Sequence, residues 1–316
     1  MISERINNLL LEITSKFDQH LLNINNLDPS FNQILKWKQC ANKIIPLLDD
    51  NDIKYTLIKV YDILYAHMID LDLLIEDKLD MIKTISILKK ASYKIKKLQF
   101  FYPYKLNALK EKNDIIIDLY HKPKWYDFTY AQENLITSSR IKSIYHGVKA
   151  FYPTPELNIY LAATHSYSHG RITLEEIFHI ANVIIESNPD FFTLTELVND
   201  FRTGHILYCY LALVNNVFNA IDYENDELKK FMLSLQNNAI TMYFKKWVDD
   251  YSPFNYYQFP INIPFTMLSY SGFTSILSKS LHPSVNKYGE LVVSLRHFFP
   301  TKFIFHQMGL ILQRDY

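Results

Sequence analysis

In the segment Ile69-Asp70-Leu71-Asp72-Leu73, two carboxylates stand two residues apart inside an apolar run. In an extended strand residues i and i+2 point the same way, so Asp70 and Asp72 share one face and Ile69, Leu71 and Leu73 the other. Two bare carboxylates that close repel each other, and burial sharpens the repulsion. A divalent cation with oxygen ligands, Mg²⁺ or alternatively Mn²⁺, removes it. A later apolar run, Ile115-Ile116-Ile117-Asp118-Leu119, offers a third carboxylate. Three carboxylates on neighbouring strands suit phosphoryl or nucleotidyl transfer. One metal, on Asp70 and Asp72, would hold a triphosphate; a second, on Asp118, would activate the attacking hydroxyl, whose proton Asp118 could receive. Asp-x-Asp by itself is weak, because on a half-exposed strand it is commonly only the solvated face.

To hold those side chains the chain needs a small sheet, and the pattern supplies one. Lys54–Val60 and Met68–Ile75 are β-prone, Leu79–Ile95 has helical spacing, Leu98–Leu109 reads as a strand interrupted by Pro103, and Asp114–Tyr120 is an apolar strand. This β, β, α, β, β order marks a mixed α/β unit over residues 51–126. Residues 1–50 form a helical lead, with Leu9, Leu10, Ile13 and Phe17 at helical spacing and a second helix opening at Asp28-Pro29. From residue 127 to 316 the chain reads as helical: Thr154-Pro155-Glu156 is a helix start, and Thr173-x-x-Glu176 and Thr193-x-x-Glu196 match the capping box. The last sixty residues, aromatic and punctuated by proline, give no assignment. The expected fold class is α+β.

The order of these elements, with Asp-x-Asp in a hydrophobic strand and a later strand carrying Asp, resembles the nucleotidyltransferase superfamily that includes DNA polymerase beta. It is most similar to bacterial and archaeal nucleotidyltransferase-like proteins. The stretches that carry the likeness are Leu57-Ile58-Lys59-Val60, Ile69 through Ile75, Ile117-Asp118-Leu119-Tyr120-His121, and the helices Pro155–Gly170 and Leu174–Ile185. The resemblance implies Mg²⁺-dependent transfer of a nucleoside monophosphate from an NTP to a hydroxyl. The acceptor, a small molecule, a protein side chain or an RNA end, stays open. Members of that superfamily carry Gly-Gly or Gly-Ser shortly before the aspartate pair, where backbone N–H groups cradle phosphate. This chain has 6 glycines and the first is Gly147. Lys59 stands at the corresponding place and would contact phosphate through its charge. A non-catalytic binding or regulatory protein that kept the fold and lost the phosphate turn is the alternative.

Composition narrows the rest. With 33 Lys plus Arg against 33 Asp plus Glu, no global charge draws the chain to nucleic acid or anionic membrane. Lys89, Lys90, Lys94, Lys96, Lys97, Lys105 and Lys110 form a stretch without acids, interleaved with Tyr93, Phe100, Phe101, Tyr102 and Tyr104. It is either a solvated face or a basic surface beside the site. His165 and His169 are four apart, a spacing that suits Zn²⁺, although packing or hydrogen-bonding roles are commoner; His179 follows on the next helix. Arg140 lies between the two halves as a candidate substrate contact, while Asp49-Asp50 and Asp249-Asp250 read as turn carboxylates. Thr203–Ile221 is long enough to span a bilayer, but His205, Asn215, Asn216 and Asn219 make it a buried helix; Pro253–Ser278 carries three prolines. No integral membrane insertion is expected. Cys40 and Cys209, far apart, and a start without a secretory pattern point to the cytoplasm.

Overall fold

The computed structural model describes residues 4–5, 8–9, 27–60, 70–97, 105–111, 114–121, 124–125, 128–129, 138–169, 171–201, 203–236 and 261–262. Helix α1 is Leu27–Asp49. Pro29 sits in its first turn, where a missing N–H removes no hydrogen bond. Trp37, Ala41, Ile44, Ile45 and Leu48 recur at helical spacing and are buried. Leu10, Ile13 and Phe17 lie outside the described residues.

Five strands form the sheet: β1 (Tyr55–Ile58), β2 (Asp70–Ile75), β3 (Lys94–Lys97), β4 (Lys105–Leu109) and β5 (Ile116–Tyr120), in the order β1-β2-β5-β4-β3. The central pair, β2 and β5, is parallel, and the other pairs are antiparallel. Between β2 and β3 runs α2 (Lys78–Lys90), capped by Asp77, whose carboxylate accepts from the Asp80 N–H. The helix stops short of the expected Ile95 because Ser92 takes a left-handed φ of 70° and turns the chain into β3. Leu71, Leu73, Ile75, Ile117 and Leu119 alternate onto one face of the sheet and are fully buried, with α1 and α2 packed on β2. The other face carries Asp70, Asp72, Asp118 and Tyr120, together with Leu74 and Ile116.

Residue 127 does not begin the helical half. Short pairs come first: β6 (Lys124–Trp125) with β7 (Phe128–Thr129), then β8 (Arg140–Tyr145) with β9 (Val148–Pro153). In β9 Val148, Ala150 and Tyr152 are buried while Lys149 is exposed, the period of a strand. The two residues of the turn, His146 and Gly147, have φ of 48° and 76°, the left-handed pair that a tight hairpin requires. This hairpin packs along β1, where the Arg140 guanidinium donates to the Tyr55 carbonyl at 2.7 Å.

Helices then follow: α3 (Pro155–His169), α4 (Leu174–Ser187), α5 (Phe191–Phe201), α6 (Gly204–Ala220) and α7 (Asp226–Leu235), with β10 (Arg171–Ile172) pairing β11 (Ile261–Asn262). The capping box at Thr173 and Glu176 forms as expected. The one at Thr193 and Glu196 does not, because α5 begins earlier. Asp190 accepts from the Phe192 N–H and the Thr193 hydroxyl, which places Thr193 inside the helix. Helix α6 is buried from Gly204 through Val214. No described helix is long and apolar enough to cross a membrane. Of Pro253–Ser278 only Ile261 and Asn262 are described, and Asp249-Asp250 lies outside the described residues.

Burial holds two histidines of this layer neutral. The pKa of His179 is depressed to about 3 by burial and the nearby His146, and that of His205 to about 4 by burial. Both fall below the unfolded value, so their contribution is complete above about pH 6.5 and is lost as pH falls toward those folded values. Urea titrations should show stability dropping between pH 6 and pH 4 by about 1.4 kcal/mol per pH unit for each histidine. His179→Gln should flatten that slope; an unchanged slope would show that His179 takes up no proton on unfolding.

Candidate functional site

The polar face of the sheet is where the sequence-expected residues meet. Parallel pairing sets Asp72 directly beside Asp118 and Asp70 beside Ile116, so Asp118 joins the face that Asp70 and Asp72 share. One carboxylate oxygen from each of the three lies within 4.8 Å of the others. Among the described residues this is the group of His, Cys, Asp and Glu side chains placed to hold a metal ion. Asp72 and Asp118 are buried and Asp70 is half-buried. This is the arrangement that the nucleotidyltransferase resemblance implies: the aspartate pair in a hydrophobic strand, a helix, then the third aspartate on a neighbouring strand.

Two lysines complete the cluster. Lys59 Nζ donates to Asp72 Oδ1 at 2.6 Å and to the Tyr120 hydroxyl at 2.9 Å. Lys105 Nζ forms an ion pair with Asp118 Oδ2. Asn107, directly opposite Asp118 on β4, donates to its Oδ1 at 2.8 Å. Both ammonium groups lie near the Tyr120 ring, Lys59 at 4.7 Å and Lys105 at 5.2 Å from its centre. Lys59 itself sits at the end of β1 with φ of 57°, a left-handed conformation that costs a residue other than glycine about 1 kcal/mol. Lys59 therefore keeps a glycine-like backbone but bears a cation.

The charges settle unevenly. Burial pushes the Asp70 carboxyl well above the usual range, and Asp72 and Asp118 push it further. For Asp72 the attraction of Lys59 and Lys105, with a hydrogen bond from Tyr120, outweighs burial and holds it below the ordinary value. Asp118 is raised by burial and by Asp72, against the pull of Lys105. Burial would depress Lys105, but Asp118 and Asp72 outweigh it and hold the ammonium above its ordinary value.

Helix α3 brings a second buried polar group toward the same place. His165 pairs with Glu176 of α4 (Nδ1 to Oε1, 3.7 Å) and feels the charges of Lys59 and Asp72. Burial and Lys59 depress its pKa, while Glu176 opposes them. Glu176 also accepts from the Thr173 N–H and hydroxyl and from Ser166. His165 is thus engaged with Glu176, and His179 with Asn158 at 3.1 Å; the side chain of His169 lies outside the described residues. No zinc site assembles from these histidines among the described residues.

Of the remaining candidates, Arg140 is bound to Tyr55, at the end of β1 away from Lys59, and stacks on Phe151 at 4.3 Å. Lys94 and Lys96 are exposed on the edge strand β3, Lys105 points into the cluster, and Phe100 through Tyr104 lie outside the described residues. Lys105, Asn107, Tyr120 and the His165–Glu176 pair were not singled out for these contacts by the sequence. The signal that existed was alternation: Lys105 and Asn107 are two apart, as are Asp118 and Tyr120.

No protein-family model matches the chain, and no curated protein matches it. Among solved structures, it is similar to the solution structure of the antibiotic-resistance factor ANT(2'')-Ia, a protein with substrate-regulated conformation dynamics. That match has a TM-score of 0.39 and 13% identity, and it covers 55% of this chain and 93% of the other.

Removing one partner of a buried pair leaves the other charge uncompensated. Lys105→Met should cost about 3 kcal/mol or more in urea unfolding without added metal. Adding Asp118→Asn should recover a large part of that loss. Additive costs in the double-mutant cycle would show that the two groups are not coupled.

Proposed function

We propose that the protein transfers a nucleoside monophosphate from an NTP to a hydroxyl acceptor, with divalent metal held by Asp70, Asp72 and Asp118. The observation that carries this reading is the convergence of the three carboxylates on one sheet face, with oxygens within 4.8 Å of one another. A set of carboxylate oxygens fits Mg²⁺ or Mn²⁺. Bound there, the ions would acidify the attacking hydroxyl and offset charge at the transferred phosphorus. Asp118 would take the proton of the acceptor, and Lys59, beside the aspartate pair, would contact phosphate. In this reading residues 51–126 are the catalytic unit, residues 1–50 a helical lead, and the segment from 127 onward the acceptor side, which His165 brings to the cluster. The acceptor is a small molecule, a protein side chain or an RNA end. The free thiols Cys40 and Cys209 suit a reducing cytoplasm.

A second reading is favoured by two observations. The lysines already compensate Asp72 and Asp118, and no glycine precedes the aspartate pair. On that reading the chain is a catalytically silent binding or regulatory protein.

Labelled ATP, CTP, GTP and UTP, each incubated with Mg²⁺, the protein and cell extract, separate the two. The enzyme reading expects label on one acceptor class, and Asp70→Asn or Asp72→Asn should reduce transfer by about a hundredfold or more. It also expects metal-dependent nucleotide binding by calorimetry. If none of the four nucleotides binds, the silent protein is the correct description.

A further inference from the structure

Lys59 and Lys105 are placed where positive charge is needed, but on carboxylates that a metal would use. Lys59 lies 2.6 Å from Asp72 Oδ1, and Lys105 is paired with Asp118 Oδ2. Their side chains are only 14% and 13% exposed, so both ammonium groups have given up most of their water and depend on these anions. A divalent cation entering the cluster competes with them for the same carboxylates and is repelled by them at short range.

We propose that Lys59 and Lys105 are built-in counterions that exchange carboxylate for nucleotide phosphate, so that metal loads together with an NTP and not before it. The proposal rests on the nucleotidyltransferase reading. A triphosphate carries several negative oxygens and offers both lysines new partners. Once they turn to it, Asp72 and Asp118 are released to the metal. Lysine suits such an exchange because its ammonium is a point charge on a flexible stem and keeps no fixed fork geometry. Backbone geometry at Lys59 supports the same conclusion independently. At φ of 57° a glycine would hold the turn without strain, yet the position bears a long cationic side chain that reaches Asp72. The two lysines also share one aromatic wall, Tyr120, so movement of one changes the surroundings of the other.

The test is calorimetric titration of Mn²⁺ into the full chain, with and without a non-hydrolysable NTP analogue. Wild type is compared with Lys59→Gly, Lys105→Met and the double variant, and Asp72→Asn serves as the control for site occupancy. Without nucleotide, each lysine variant should bind Mn²⁺ at least tenfold more tightly than wild type. The analogue should tighten Mn²⁺ binding to wild type at least tenfold, and this gain should shrink in the variants. Thermal melts should show Mn²⁺ stabilising the variants strongly and wild type little. Lys59→Gly suits the observed backbone and carries the test if Lys105→Met fails to fold without metal. Equal Mn²⁺ affinity in wild type and Lys59→Gly, both folded, overturns the exchange while leaving the enzyme reading intact if wild type binds Mn²⁺ and analogue together. Failure of wild type to bind any nucleotide removes that reading and the phosphate half of the exchange with it, whatever the metal titration gives.

Discussion

Three carboxylates on one face of a sheet, two of them out of contact with water, cannot all remain charged without nearby cations. That electrostatic requirement organises the polar side of this protein. The strand order β1-β2-β5-β4-β3 places Asp72 and Asp118 at the centre and brings a lysine in from each side, Lys59 from the end of β1 and Lys105 from β4. Neither lysine neighbours its aspartate in sequence. Each reaches it across one strand pairing, so sheet register and charge compensation are the same arrangement seen two ways.

The apolar side makes this tolerable. Leu71, Leu73, Ile117 and Leu119 alternate with the carboxylates and are fully buried opposite them. A register slip of one residue would exchange the two sets and put aspartates into the core, which strongly disfavours that pairing. The helical layer joins the sheet through the β8–β9 hairpin and the bond from Arg140 to Tyr55. It carries its own buried polar pair, His165 with Glu176, to the edge of the carboxylate cluster.

The aspartate pair was legible because alternation of period two fixes which side chains share a face, and no partner strand is needed to see it. Asp118 was legible as a residue type in an apolar strand, while its position beside Asp72 depends on parallel pairing that no local pattern encodes. Lys105 looked like one of a run of surface lysines; only the β4–β5 register separates it from Lys94 and Lys96, which are exposed on an edge strand where lysine discourages unwanted pairing. The left-handed turn at Lys59 was hidden because its residue type argues against it. Thr173 and Thr193 show the limit of a short motif: both precede Glu by three, but Asp190 starts the second helix first. The β8–β9 hairpin is hard to read because His-Gly is a less familiar turn than Asn-Gly and β8 does not alternate, although Val148, Ala150 and Tyr152 of β9 do.

The same pairing bears on how the chain is assembled. β1 with β2, and β4 with β5, are antiparallel pairs of strands close in sequence, whereas β2 with β5 is a parallel contact across an intervening helix and two strands. Local contacts close at lower entropic cost than distant ones. A chain that forms its nearby pairs first therefore unites two ribbons that each hold an acid already matched to a base, Lys59 with Asp72 in one and Lys105 with Asp118 in the other. The long-range pairing then joins ribbons in which Asp72 and Asp118 are each already matched by a lysine.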